Sequence, residues 1–174
     1  MPVHVALLRA INVGGTGKLP MADLRAICEG LGFSDVATYI QSGNVLFRSD
    51  LNATDAESLL DDALAQRLGK APGVMIRTAA ELAGLAAGNP FPDAKPNYLM
   101  VHFPPSAVPD EPLAGLVAPD GEEVHVGTRE IWVHYRDGSG RSKFRLPALK
   151  RATARNLNTV RKLAQMAQAM EGEA

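Results

Sequence analysis

Within residues 1–78 the spacing of apolar side chains alternates between the period of a strand and that of a helix, in an order that few folds accommodate. Val3, Val5, Ala6, Leu7 and Leu8 form a short apolar run that reads as a buried strand. Met21, Leu24, Ile27, Cys28 and Leu31 then recur at steps of three and four, predicting a helix that ends near residues 30–32. Residues 36–40 and 45–47 read as two strands around a tight turn, Gln41-Ser42-Gly43-Asn44, with Gly43 at positive φ. That turn sets Ile40 opposite Val45 and Tyr39 opposite Leu46. A helix over 55–68 carries Leu59, Leu60, Ala63, Leu64 and Leu68 on one face, and residues 73–77 make a fourth strand. The order β-α-β-β-α-β is that of the ferredoxin-like split arrangement, with two helices on one face of a four-stranded antiparallel sheet.

A second unit follows. Residues 79–87 read as helix, 89–96 as a proline-rich connection, 98–103 as a strand and 111–117 as a short helix. Residues 122–126 and 130–135 form a second hairpin, and largely helical, basic sequence closes the chain. The order is β-α-β-β-α again, with no last strand evident. The expected organisation is a ferredoxin-like unit over 1–78 and a second over 79–174 that ends in a basic helical segment. With Thr128 and Arg129 as the turn, Val124, Val126, Ile131 and Val133 share one face, and Glu123, His125, Trp132 and His134 share the other. Two histidines and a carboxylate are a known ligand set, but no ligand-spacing signature accompanies them and no metal is predicted.

At 174 residues with 46% hydrophobic content, the chain has enough apolar surface for a genuine core. Cys28 is the only cysteine, so an intrachain disulfide is impossible. Its place on an apolar helix face predicts a buried, inert thiol. A reducing cytoplasm fits, and no signal peptide or 18-residue apolar segment directs the chain to a membrane. The net charge of −1 argues against a wholly basic nucleic-acid binder. Its distribution is uneven: from Gly138 to Met170 no acidic residue occurs, while Arg141, Lys143, Arg145, Lys150, Arg151, Arg155, Arg161 and Lys162 contribute eight positive charges.

Two stretches carry the chemistry. The first strand ends at Arg9 and opens into Asn12-Val13-Gly14-Gly15-Thr16-Gly17-Lys18-Leu19-Pro20, a glycine-rich, cationic loop leading to a helix start. Glycines let backbone amides approach an anion, and the helix N-terminus attracts negative charge. This is not a nucleotide-hydrolysing P-loop, because Asn12 replaces its first glycine and Leu19 stands where a magnesium-binding hydroxyl belongs. The second stretch is Thr153-Ala154-Arg155-Asn156-Leu157-Asn158-Thr159 before an amphipathic last helix, with Asn156 or Asn158 as its N-cap. Arg155 and Lys162 beside that helix start make a second anion site. The competing reading is an ordinary strand-to-helix connection and a solvated basic face.

The segments Ala6-Leu-Leu-Arg-Ala-Ile-Asn-Val-Gly-Gly15, Leu19-Pro-Met-Ala-Asp-Leu-Arg25, Tyr39-Ile-Gln-Ser-Gly-Asn-Val45, Ser142-Lys143-Phe144 and Thr153-Ala-Arg-Asn-Leu-Asn-Thr-Val160 resemble the bacterial family known as domain of unknown function 1697. The resemblance runs nearly the whole length and implies two ferredoxin-like (α/β plait) units in tandem, an α+β fold. It implies no reaction, cofactor or substrate. Its pattern falls on Arg9, Asn12, Gly14, Gly15, Gln41, Ser42, Gly43, Asn44, Ser142, Lys143, Thr153, Arg155, Asn156, Asn158, Thr159 and Lys162, polar or glycine positions in loops and at helix starts. Lys18 joins them from the loop itself. The family usually has glycine where Ala10 stands and tryptophan where Leu157 stands.

Three functions are open. The leading one is binding of an anionic or phosphorylated small molecule, such as a nucleotide, where the Asn12–Lys18 loop, the Gln41–Asn44 turn and the Arg155–Lys162 segment converge. The second is nucleic-acid binding through the basic C-terminal third, although the RNA-reading form of this fold stacks bases on aromatics of its central strands. Here the first strand has none, and the third has only Phe47, expected opposite Thr38. The third is an enzyme with Ser42 or Lys143 as nucleophile, or Arg155 as a clamp, for which no partner base is evident.

Overall fold

The apolar run at the N-terminus becomes β1 (Val3–Leu8), every residue of which is buried. A strand covered on both faces reads as a continuous apolar run, which is why alternation is missing there. In the computed structural model, residues 1–13, 15 and 17–173 are described. They fall into two units, Met1–Ala83 with Leu163–Ala174, and Gly84–Lys162. The chain is an α+β protein with two four-stranded antiparallel sheets.

In the first unit β1 is followed by α1 (Met21–Gly30), β2 (Ser34–Tyr39), β3 (Asn44–Arg48), α2 (Ala53–Leu68) and β4 (Val74–Arg77). The sheet order is β2-β3-β1-β4, the ferredoxin-like one. Leu24 and Cys28 of α1 and Ala56, Leu60 and Leu64 of α2 pack on Ala6, Leu8, Val45, Phe47 and Ile76. Leu59, expected on the buried face of α2, is 38% exposed instead. Asn52 caps α2 by accepting the Asp55 N–H at 2.8 Å, and Gly69 closes it at φ 83°. Cys28 is buried as expected, and burial, aided by the neighbouring Glu29, pushes its thiol up to about 12, so it stays protonated at neutral pH.

The first hairpin differs from expectation by two residues. Val45 faces Thr38 rather than Ile40, and Leu46 faces Ala37 rather than Tyr39, so Tyr39 and Asn44 close the loop. The reason lies in the turn itself, where Ile40 at φ 51° and Gly43 at φ 88° both adopt left-handed backbone. A slip of two keeps every side chain on its face. Phe47 consequently lies away from Thr38's partner position and stacks on Phe33 at 4.1 Å, beneath the helices.

In the second unit α3 (Ala79–Ala87) is followed by β5 (Leu99–Phe103), β6 (Glu123–Val126), β7 (Ile131–His134), β8 (Thr153–Asn156) and α4 (Leu157–Gly172), α3 and α4 each straddling the division between units. The order β6-β7-β5-β8 repeats that of the first sheet. The hairpin register, Val124 with Val133 and Val126 with Ile131, gives the two faces expected. Two elements differ. Residues 111–117 form turns rather than a helix, because Pro112 and Gly115, the latter at φ 76°, bracket a segment too short to propagate. The polar Thr153–Asn156 run is the missing last strand, pairing Val101 with Arg155 and Phe103 with Thr153. Among the described residues no helix is long and apolar enough to cross a membrane.

Each last strand ends in the same device. Arg77 of β4 and Arg155 of β8 are 2% and 6% exposed, and each is followed by a capping residue. The Thr78 hydroxyl accepts the Glu81 N–H at 3.0 Å, and Asn156 Oδ1 accepts the Thr159 N–H at 2.9 Å.

Ala10, where the family usually has glycine, sits at φ 54° and is exposed. Left-handed backbone costs a side-chain-bearing residue roughly 1–2 kcal/mol, against roughly 0.5–1 kcal/mol of extra chain entropy lost by glycine. Ala10→Gly is therefore expected to stabilise the protein by about 0.5–1 kcal/mol, read as a higher urea midpoint at unchanged slope.

Candidate functional site

β1 delivers its C-terminal end to the point where two other segments arrive. The Leu8 N–H donates to the Gly43 carbonyl at 2.9 Å, and the Arg9 N–H donates to the Gly73 carbonyl at 3.0 Å. The turn between β2 and β3 and the approach to β4 thus meet the loop that leaves β1. A Cβ on Gly43 would lie 3.0 Å from Leu8 Cβ and 3.3 Å from Ile11 Cβ, so the hairpin presses on the strand through a residue without a side chain.

Asn12 organises the loop. Its Nδ2 donates to the carbonyls of Leu19, at 2.9 Å, and Gln41, at 3.0 Å, while its Oδ1 accepts the Leu19 N–H at 2.8 Å. Its own N–H reaches the Gly17 carbonyl at 3.0 Å, with Asn12 at φ 56°, a conformation asparagine tolerates. Gly17, at φ 61°, brings its backbone so close to the Ala10 carbonyl that a Cβ would stand 2.6 Å from the oxygen. Asn12, Gly17 and Leu19 are thus tied to one another on either side of the loop.

Asn44 does the same for the hairpin. It is fully buried, and its Nδ2 donates to the Tyr39 carbonyl at 2.9 Å and to Ser42 Oγ at 3.0 Å. Gln41 and Ser42 remain exposed. Asn12, Gly15, Lys18, Leu19, Pro20 and Gln41 line one open cleft of about 490 Å³. Arg9, Gly17 and Lys70 line a smaller cavity of about 250 Å³. Pro20 precedes α1, whose first turn carries no side-chain cap. Gly14, also expected at this site, lies outside the described residues.

The remaining expected residues belong to the second unit. Arg155 is buried, and its Nη1 donates to Thr153 Oγ1 at 2.7 Å and to the Ala154 carbonyl at 2.9 Å. Burial lowers its guanidinium to about 10, still charged at neutral pH. Thr153 and Thr159 are buried, Asn156 is the α4 cap, and Asn158, Lys162 and Lys143 are exposed. Leu157 is fully buried and fills the core where the family usually places tryptophan.

Ser142 has a different partner from any expected. Its Oγ donates to Glu122 Oε1 at 2.5 Å and accepts the Phe144 N–H at 3.1 Å, tying the stretch after β7 to the start of β6. That bond, with the Asp120 N–H on Glu122 Oε2 at 2.9 Å, holds the Glu122 carboxyl below the usual carboxylate range against the opposing effect of burial. On the other face of the hairpin, Glu123 Oε1 lies 3.3 Å from His134 Nδ1 and 3.6 Å from Arg136. Among the described residues no group of three or more His, Cys, Asp or Glu side chains is placed to hold a metal. Sequence reasoning missed the pairing of His102 with Tyr135, their Nε2 and Oη 3.4 Å apart. The one available signal was a lone polar residue on the core side of an otherwise apolar strand.

Two ferredoxin-like sheets in one chain define the class of protein. The chain belongs to the family described as "Protein of unknown function (DUF1697)", which matches residues 1–132. Among solved structures it is similar to the conserved bacterial protein SP0830 from Streptococcus pneumoniae, with a TM-score of 0.78 at 23% identity over 95% of this chain and 98% of that one. That likeness shows the fold. No curated protein matches the chain.

Two outcomes follow from these bonds. Asn12→Asp sets a carboxylate oxygen where an amide donated to two carbonyls. It is expected to cost about 2 kcal/mol at neutral pH, partly recovered as acidification restores a donor. Ser142→Ala removes the bond that lowers the Glu122 carboxyl. A depressed carboxyl stabilises the fold above its unfolded pKa, and that stability is lost as pH falls through the folded value. Acid unfolding of Ser142→Ala, followed by circular dichroism, is expected to begin at a higher pH than in the native protein.

Proposed function

We propose that the first unit binds a small anionic or phosphorylated molecule, a nucleotide being one such class, in the cleft lined by Asn12, Gly15, Lys18 and Gln41. The observation that supports this reading is the bonding of Asn12 to both Leu19 and Gln41, which links the residues before α1 to the hairpin turn beside the cleft. A site organised before its ligand arrives loses less conformational entropy on binding. Lys18 supplies positive charge at the cleft. The uncapped start of α1 after Pro20 adds backbone donors and the positive end of the helix dipole.

This site is narrower than the one expected from sequence, because it rests on the first unit alone. Arg155 and Thr153, expected as ligand contacts, already bond to one another in the second unit. The RNA-reading form of the fold has little support in the first sheet, since Phe47 is packed under α1 and α2 instead of standing on the open face of a base platform. Exposed Arg141, Lys143 and Arg151 keep nucleic acid as an outcome of the test.

Thermal unfolding is measured with inorganic phosphate, mononucleotides, sugar phosphates and short single-stranded oligonucleotides, for the native chain and Lys18→Ala. A ligand of this class at a hundred times its Kd is expected to add about 2.7 kcal/mol of stability, with most of the shift lost in the variant. An equal shift in Lys18→Ala, or no shift with any phosphate compound, overturns the site. Stabilisation by oligonucleotides alone, weakening steeply with salt, assigns the protein to nucleic acid.

A further inference from the structure

The two sheets correspond residue for residue along their central strands. Val5 stands between Leu46 and Arg77 in the first, and Val101 between Trp132 and Arg155 in the second. The next row is Val45, Ala6, Ile76 in the first sheet and Ile131, His102, Ala154 in the second. In the first unit α1 and α2 fill the space over that row, and Ala6 and Ile76 are 0% and 1% exposed. Among the described residues of the second unit, neither residues 104–122 nor 135–152 contain an α-helix. These two crossings are held together by Val117 and Arg145, which exchange two backbone hydrogen bonds of 2.8 Å.

Irregular crossings close over a sheet less completely than a helix pair. Between them and the sheet lies an open cleft of about 660 Å³, within the size range of small-molecule sites. Phe144, Leu146, Pro147 and Leu149 give it apolar walls. Its floor is the strand row carrying His102 and Ala154, with Tyr135 beside them. Tyr135 meets Phe144 edge to face at 5.6 Å, so the wall and floor are braced by aromatic packing. Arg145 and Lys150, both exposed, stand at the mouth, and among the described residues no acidic side chain lines the cavity.

We propose that this cavity is a second ligand site, independent of the first-unit cleft, and that it takes a small aromatic carboxylate or a molecule of the same character. The ring occupies the walls of Phe144, Leu146 and Leu149. The anionic group lies at the mouth with Arg145 and Lys150, and a polar substituent reaches the His102 and Tyr135 pair. Burial lowers His102 to about 4, so at neutral pH its imidazole is uncharged, with Nε2 paired to Tyr135. Burial, with Glu122 nearby, holds the Tyr135 phenol at about 12, so it stays protonated. Uncharged His102 and Tyr135 in the floor, with the Glu122 carboxylate near Tyr135, under a cationic mouth orient the ligand with its charge outward. Ala154 makes the room: the matching position of the first sheet carries Ile76, which fills it.

The test is a fluorescence titration of the full chain with 8-anilinonaphthalene-1-sulfonate, an aromatic body with one anionic group. Indole-3-acetate serves as competitor, and neutral indole as its uncharged control. Saturable one-to-one binding is expected, displaced by indole-3-acetate far better than by indole. Affinity should fall at least tenfold in Ala154→Ile, which restores the first-unit filling, and in Arg145→Glu, while Lys18→Ala binds as the native chain does. Absent saturation, or affinity unchanged in Arg145→Glu, overturns the proposal. Should Ala154→Ile lose its native circular dichroism, the exposed Arg145→Glu alone decides. Loss of binding in Lys18→Ala with Arg145→Glu unaffected places the probe in the first-unit cleft and equally refutes it.

Discussion

Pairing of the wholly buried β1 between β3 and β4 is the constraint on which the first unit and its cleft depend. Six consecutive buried residues leave the strand one depth in the sheet. A slip of one residue would exchange the side chains packed under the helices for those on the other face. Because β3 and β4 both run antiparallel to β1, the turn into β3 and the approach to β4 reach the same end of it. The glycine-rich loop must therefore emerge beside the hairpin turn. Asn12 bonds across that junction to Gln41, while Asn44 braces the hairpin turn from within through Tyr39 and Ser42.

The second sheet keeps the strand order and changes what covers it. Helices α1 and α2 bury Ala6 and Ile76 in the first unit. Crossings without α-helix lie over Met100, Ile131 and Val133 in the second, with Val108, Phe144 and Leu146 supplying the apolar contacts. Two helices present continuous apolar stripes and exclude solvent from a sheet. Irregular segments must satisfy their own backbone groups, as Val117 and Arg145 do by bridging, and they leave space between those bridges. The same topology thus yields a closed core in one unit and a cavity in the other.

Much of the fold was legible in the chain because periodicity is a local property. The helix on Leu24 and Cys28, the Val124 to Val133 hairpin and the β-α-β-β-α-β order follow from spacing and turn residues alone. The first hairpin slipped by two because Ile40 takes a left-handed conformation that β-branched residues rarely adopt. The strand Thr153–Asn156 escaped notice because its buried positions are Thr153 and Arg155, polar side chains that imitate a loop. An arginine at a strand position gives no sequence signal of burial. Only partners such as the Thr153 hydroxyl make that burial tolerable.

By itself the sequence determined the tandem α+β plan, the buried Cys28 and the concentration of glycine, asparagine and cationic residues around the loop and the turn, since each depends on neighbours close in the chain. Tertiary structure alone decided which ends of strands coincide, that Asn12 and Asn44 are internal locks, that Arg155 is buried, and that His102 and Ala154 border a cavity. Those outcomes depend on register and on which segment crosses which face. Such quantities are set by pairings between residues tens of positions apart, where no local periodicity reaches.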